Sequence, residues 1–173
     1  MKKSRNLIFF VLICLLAVSC DKKEEEDIVE PITLYDKVGG VWELESLLQT
    51  DEIAKAGNSE LYELDLTLVF EFSSFQISLD LDEEMEPTSF EVSGEAPELF
   101  LTAGYWDLDN PFPKTDGSNN ILRLYADDSK TEIIDQLELV TVPGTQTELE
   151  FQLVRNSAGS AYVSYLYSMN PVN

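Results

Sequence analysis

The stretch "LDLTLVFEFSSFQISLDLD", Leu64 to Asp82, decides how the chain is read. Leu64, Leu66, Leu68, Phe70 and Phe72 fall on one face of an extended chain, with Asp65, Thr67, Val69 and Glu71 on the other. Phe75, Ile77, Leu79 and Leu81 repeat the pattern against Gln76, Ser78, Asp80 and Asp82. Successive side chains of a strand point to opposite faces, so this alternation predicts two half-buried strands. Ser73-Ser74 is expected to join them. Ser-Ser suits a type I′ turn poorly, because both central residues need positive φ, so a longer or bulged hairpin is an equal expectation.

Working outward, further strands are expected at Val41–Leu47, Thr88–Ser93, Leu99–Trp106, Ile121–Tyr125, Leu137–Val142, Leu149–Arg155 and Tyr162–Met169. Ser93-Gly94, Asp116-Gly117, Pro143-Gly144 and Ser157-Ala158-Gly159 punctuate them. One or two short helices fit between. Thr50 or Asp51 is placed to cap Glu52–Ala56, with Gly57 ending it. Ser129-Lys130-Thr131-Glu132 has capping-box spacing before Ile133. An all-β fold follows, an antiparallel barrel or, as the alternative, a β-sandwich. A body of residues 35–173 is long enough for one domain, since a chain of about 150 residues buries roughly 68–70% of its extended surface.

The N-terminus has a different grammar. Lys2, Lys3 and Arg5 precede an uncharged apolar run, Leu7 to Val18. That run is shorter than the roughly 20 residues a membrane-spanning helix needs, and with Ala17 and Ser19 behind it, it has the layout of a signal peptide. The stretch "LAVSC" resembles the lipobox of bacterial lipoproteins. The resemblance implies cleavage between Ser19 and Cys20 and lipid, palmitate included, on Cys20, so that residues 1–19 are a signal peptide. Losing them removes Cys14 and three positive charges and moves the formal charge from −22 to −25. Cys20 is then the only cysteine and is blocked, which leaves no disulfide, free thiol or thiolate metal ligand. The acyl chains hold the protein on a membrane without a spanning helix.

Residues 20–34 follow as an acidic tether, "CDKKEEEDIVEPITL". Such a charge run stays solvated. It is similar to the acidic surface-export signal of Bacteroidota lipoproteins, which implies an outer-membrane, surface-exposed location. A periplasm-facing location is the alternative, and in other Gram-negative lineages an aspartate after the cysteine favours the inner membrane.

Gly40-Val41-Trp42 opens the first expected strand and resembles the Gly-x-Trp of lipocalins. In that family the glycine permits a tight approach, the tryptophan plugs the closed end of the barrel, and an arginine near the end of the last strand packs across the indole. Arg155 is the best-placed arginine here, ahead of Arg123, although a further strand follows it. The whole chain is similar to the lipocalin-like lipoproteins of unknown function common in Bacteroidota.

Chemistry is constrained mostly by what the sequence lacks. It has no histidine, so neither a Ser-His-Asp triad nor a His-ligated zinc is available. Gly-x-Ser-x-Gly, phosphate-loop and dinucleotide motifs are also missing. An acid-only hydrolase would need two facing carboxylates, but most of the acids fall on outward faces and loops. A non-enzymatic protein without a cofactor is expected. "DLDEEMEP" (Asp80–Pro87) and "DLDNPFPKTDG" (Asp107–Gly117) collect oxygen ligands compatible with weak calcium binding, but Pro111 occupies the third ligand position an EF-hand would need after Asp107 and Asp109.

"AGYWDLDNPFP" sets Tyr105 and Trp106 beside Asp107 and Asp109, with Phe112 following. Rings that stack on a pyranose, with carboxylates to take its hydroxyls, would make a sugar site. The same aromatics would equally seal a core. The strong negative charge disfavours nucleic acid. Two roles remain. The preferred one is a membrane-anchored, lipocalin-like cup for a small apolar ligand, which needs a hollow barrel. The other is an accessory lipoprotein that binds a glycan or envelope protein through its rim or an edge strand. The sequence does not address oligomeric state.

Overall fold

A computed structural model describes residues 32–144 and 147–172. The first elements are helix α1 (Tyr35–Val38), strand β1 (Gly40–Asp51), helix α2 (Glu52–Ala56) and a short strand β2 (Glu63–Asp65). A 3₁₀ turn at Phe72–Ser74 leads into β3 (Gln76–Leu81), β4 (Pro87–Ser93) and β5 (Ala103–Leu108). β6 (Ile121–Tyr125), β7 (Ile133–Thr141), β8 (Leu149–Ser157) and β9 (Ser160–Pro171) complete the order. Every pairing is antiparallel between sequence neighbours from β3 to β9, and β1 bonds to both β3 and β9. The sheet therefore closes into an eight-stranded up-and-down barrel, with β2 added along the far half of β1. Closure removes the unpaired edges that an open sheet would present.

The alternation read from the sequence is the cause of this wall. Leu149, Phe151 and Leu153 on β8, Tyr167 and Met169 on β9, and Ile77 and Leu79 on β3 all turn inward and are buried. β1 needs a correction of phase: strict alternation from Trp42 and Leu44 would put Ser46 inside. A bulge between Leu44 and Ser46 delivers Leu47 instead, at 0% exposure.

An eight-stranded barrel is just wide enough to be filled by side chains. Here it is filled. Leu47, Ile77, Leu79, Trp106, Leu122, Leu124, Leu137, Leu149, Phe151 and Met169 have 0% exposure. A side chain lining a hollow large enough for water would show accessible surface to it. One end is plugged by Phe100, from the Gly94–Thr102 segment, whose ring centroid lies 5.8–6.2 Å from those of Phe75, Phe151 and Tyr167. At the other end α1 lies over the barrel. Leu34, Tyr35 and Val38 are buried there, and the Trp42 indole N–H donates to the Val38 carbonyl at 2.8 Å. The compact unit begins at Ile32, so the domain reaches back into the segment assigned to the tether.

Several expectations need correcting. Leu64–Phe72 is not one long strand: only Glu63–Asp65 pairs, and Leu64, Leu68 and Phe70 are exposed. The Asp65 carboxylate accepts the Thr67 N–H at 2.9 Å, and Thr67 Oγ1 takes the Leu47 N–H at 3.0 Å, so a side chain occupies the β1 edge where a ladder would run. Phe70 and Glu71 then adopt left-handed φ values of 54° and 58°, each costing roughly 1–2 kcal/mol. Burial of Leu66 and Phe72, about 1.5–3 kcal/mol each, offsets that strain.

The helix read at Asp51–Gly57 is present, with Asp51 Oδ1 accepting from Ile53 and Ala54 N–H. The capping-box helix at Ser129 is not. Asp127 draws the Ser129 N–H and hydroxyl into a turn, and Ile133 opens β7. Residues 99–102 belong to the plug segment rather than to β5.

Candidate functional site

Tyr105, Trp106, Asp107 and Asp109 occupy β5 and the turn after it, and the strand separates them. Neighbouring residues of a strand face opposite sides, so Tyr105 and Trp106 cannot form one stacking platform. Trp106 turns inward, wholly buried. Its indole N–H donates to the Asp80 carbonyl at 2.9 Å, and the Tyr35 ring meets it edge-on at 6.0 Å. Asp107 Oδ1 accepts the Tyr35 hydroxyl at 2.8 Å, and Asp107 Oδ2 lies 3.7 Å from Lys130 Nζ. Asp109 accepts the Ile121 N–H at 2.8 Å and pairs with Lys114 Nζ at 2.7 Å.

Trp106, Asp107 and Asp109 are thus committed to the fold, and Tyr105 is left on the face opposite Trp106, so the sugar-site arrangement is not assembled. Burial, followed by the hydrogen bond to Asp107, pushes the Tyr35 phenol well above its ordinary pKa. Burial alone would raise Asp109, but the Ile121 N–H and the Lys114 ammonium outweigh it and hold the carboxyl below its usual value.

The Gly-x-Trp residues divide. Trp42 sits, 5% exposed, at the α1 end of the barrel. Gly40 carries φ +121°, and a Cβ there would meet nothing within 4 Å, so its role is conformational. The tight approach falls one residue earlier, at Gly39, where a Cβ would come 2.5 Å from Leu81 Cδ1. Arg155 does not cross the Trp42 ring. Trp42 is level with Pro171, whereas Leu149 is opposite Met169 and Arg155 lies six residues further along β8, toward the other end. There its guanidinium bonds to Asp135 Oδ1 at 3.0 Å and to the Leu99 carbonyl. Arg123 stands on β6 opposite Asp107 and Gln136. Ser19 and Cys20 lie outside the described residues.

The acidic loops are similarly occupied. Asp82 Oδ1 accepts the N–H groups of Glu84 and Glu86, and Asp80 takes the hydroxyls of Ser78 and Ser89. Among the described residues, no group of three acidic side chains converges as a metal ion requires.

What stands out on the exterior is apolar. Leu61, Leu64, Leu68 and Phe70 are 56–88% exposed in one short segment, with Ile53 of α2 exposed as well. Sequence reasoning missed this by assigning the segment to a core strand. The available signal was Leu68-Val69-Phe70, three consecutive apolar residues that break the alternation. Two further features are an open cleft of about 570 Å³ beside Trp42, Val41 and Val172, and a groove of about 390 Å³ between β7 and β8.

The fold and surface define a class: a closed, side-chain-filled, eight-stranded antiparallel β-barrel that presents its distinctive features on the outside. Within it the chain belongs to the family described as a domain of unknown function, DUF5004, which matches residues 19–170. No curated protein and no solved structure matches the chain.

Proposed function

We propose that the chain is a lipid-anchored, non-enzymatic accessory protein of the cell envelope, which binds an envelope protein or glycan through its outer surface. The filled barrel interior carries this reading: ten inward side chains at 0% exposure leave no room for enclosed cargo. The lipobox at Ser19-Cys20 supports the anchor, with the acyl chains in the outer membrane and the acidic tether directing the domain to the cell surface. Leu61, Leu64, Leu68 and Phe70, exposed within one short segment, support a contact role, since clustered exposed apolar side chains mark interaction sites. A small apolar ligand, the second reading, is favoured only by the open cleft beside Trp42.

Three measurements test this on the full chain in its producing cells. An alkyne-tagged palmitate should label the wild type and leave Cys20→Ala unlabelled. Protease added to intact cells should degrade the domain if it faces outward and spare it if it faces the periplasm. Native mass spectrometry of the detergent-extracted protein should give the bare lipidated mass. A discrete extra mass lost on denaturation would establish the carrier reading instead.

A further inference from the structure

The barrel wall is incomplete between β7 and β8. Their register ends at Glu138↔Gln152, yet β7 begins five residues earlier, at Ile133, and β8 continues five residues further, to Ser157. Each strand is held on its other side. β7 pairs with β6 as far as Tyr125↔Ile133, and β8 with β9 as far as Ser157↔Ser160. Bulges on both outer ladders, at Leu124/Tyr125 and at Arg155/Asn156, peel the two strands apart. The groove between β7 and β8 occupies this seam, floored by Leu153 and the Asp135–Arg155 ion pair and walled by Ile121, Ile134 and Val154.

The backbone chemistry of the seam is directional. The Leu139 N–H donates to Asn120 O, on the β6 side. Alternate residues of an antiparallel strand address opposite neighbours, so Glu138 and Gln136 turn their N–H and C=O toward β8. Gln152, opposite Glu138, and Val154 two residues on turn theirs toward β7. Among the described residues, the β7–β8 register pairs neither Gln136 nor Val154 across the seam. Five unpaired residues at about 3.3 Å each give roughly 16 Å of facing strand edge.

We propose that the β7–β8 seam is a docking site for an extended segment of a partner polypeptide, which adds as a strand between β7 and β8. This rests on the accessory reading above. A row of unpartnered donors and acceptors is matched by another extended backbone. Because β7 and β8 are antiparallel, the added strand runs parallel to one and antiparallel to the other. Its inward residues meet Leu153, whose side chain turns into the barrel, so they are apolar. Its outward residues face Glu138 on a chain of formal charge −22, with Arg155 already paired to Asp135, so they are basic or neutral.

The test is amide hydrogen exchange, read by NMR on the ¹⁵N-labelled full chain in detergent, with a blocked octapeptide alternating valine and lysine as probe. Exchange at Gln136 and Val154 should slow about tenfold or more, and a valine–glutamate octapeptide should bind at least tenfold more weakly. Val154→Pro, which removes a seam donor but no donor to β9, should abolish the effect. If that variant loses its dispersed spectrum, Gln136→Pro replaces it. The proposal is overturned if these amides are already as slow as Leu139 without peptide, or if the peptide protects other residues only. It is also overturned if protection grows with protein concentration alone, which would make the occupant a second copy. Loss of palmitate labelling or of surface exposure would sink the accessory reading while leaving these exchange results unchanged.

Discussion

Asp135 joins Arg155 across the plugged end of the barrel: Oδ1 accepts from the guanidinium at 3.0 Å while Oδ2 takes the Leu101 N–H at 2.9 Å. One carboxylate therefore ties β7, β8 and the Phe100 plug segment together. Asp135→Ala leaves the Leu101 N–H unpartnered and the Arg155 charge uncompensated. Because Arg155 is partly exposed, most of the loss comes from the stranded backbone donor, and about 1–3 kcal/mol is expected. Urea unfolding should show a lower midpoint with an unchanged slope.

Phe100 fills the barrel mouth against three other rings. Phe100→Ala should cost about 3–5 kcal/mol and open an apolar cavity. The variant should bind benzene or xenon, detected by chemical-shift changes at Phe75 and Phe151, and the wild type should not. Equal binding by both would mean that the native interior is hollow.

Alkaline pH should destabilise the fold through Tyr35 and Tyr167. Burial raises both phenols above their ordinary value near 10. The unfolded chain releases these protons first, so the stabilisation is intact below pH 10 and is lost as pH rises above it. Each tyrosine adds a slope of up to about 1.4 kcal/mol per pH unit. Tyr35→Phe should flatten the profile, read by thermal melts between pH 9 and 12.

On the acid side the sign reverses. Asp109 is held below its ordinary pKa by the Ile121 N–H and Lys114 despite its burial, so its contribution is present above about pH 4 and fades as pH falls through the folded-state value. Asp109→Asn should lower stability by about 1–2 kcal/mol at pH 7, and the gap to wild type should close toward pH 2. A constant gap across that range would locate the effect in packing rather than charge.

Gly94 sits at φ +103°, and a Cβ there would lie 2.2 Å from the Ser74 carbonyl oxygen. Ser74 Oγ also receives the Glu95 N–H, so the 3₁₀ turn and the plug segment are pinned at this point. Gly94→Ala combines backbone strain of about 1–2 kcal/mol with a clash against main chain. It should lower the melting temperature by several degrees and speed exchange at the Glu95 amide.

The elements legible beforehand were those whose pattern is local. β6 runs from Ile121 to Tyr125 as its alternation predicts, and α2 is bounded by Asp51 and Gly57 because a side-chain cap and a glycine act within a few residues. Leu64–Phe72 had the cleanest alternation and was nonetheless misread. Its fate rests on Thr67 reaching the Leu47 N–H, twenty residues away, and on the burial of Leu66 and Phe72. Tyr105 and Trp106 are adjacent in sequence and opposite in space for the same reason that made their strand recognisable.

By itself, the sequence determined the β class, the order of most strands, the strong acidity and the lack of histidine, because periodicity, composition and capping chemistry are properties of neighbouring residues. Tertiary structure alone decided that the sheet closes, β1 against β9, and that large side chains fill it. It alone placed Arg155 with Asp135 rather than with Trp42, and left the β7–β8 seam unpaired. Each of these outcomes depends on which strand edges meet and where bulges shift their register, and those are contacts between residues far apart along the chain.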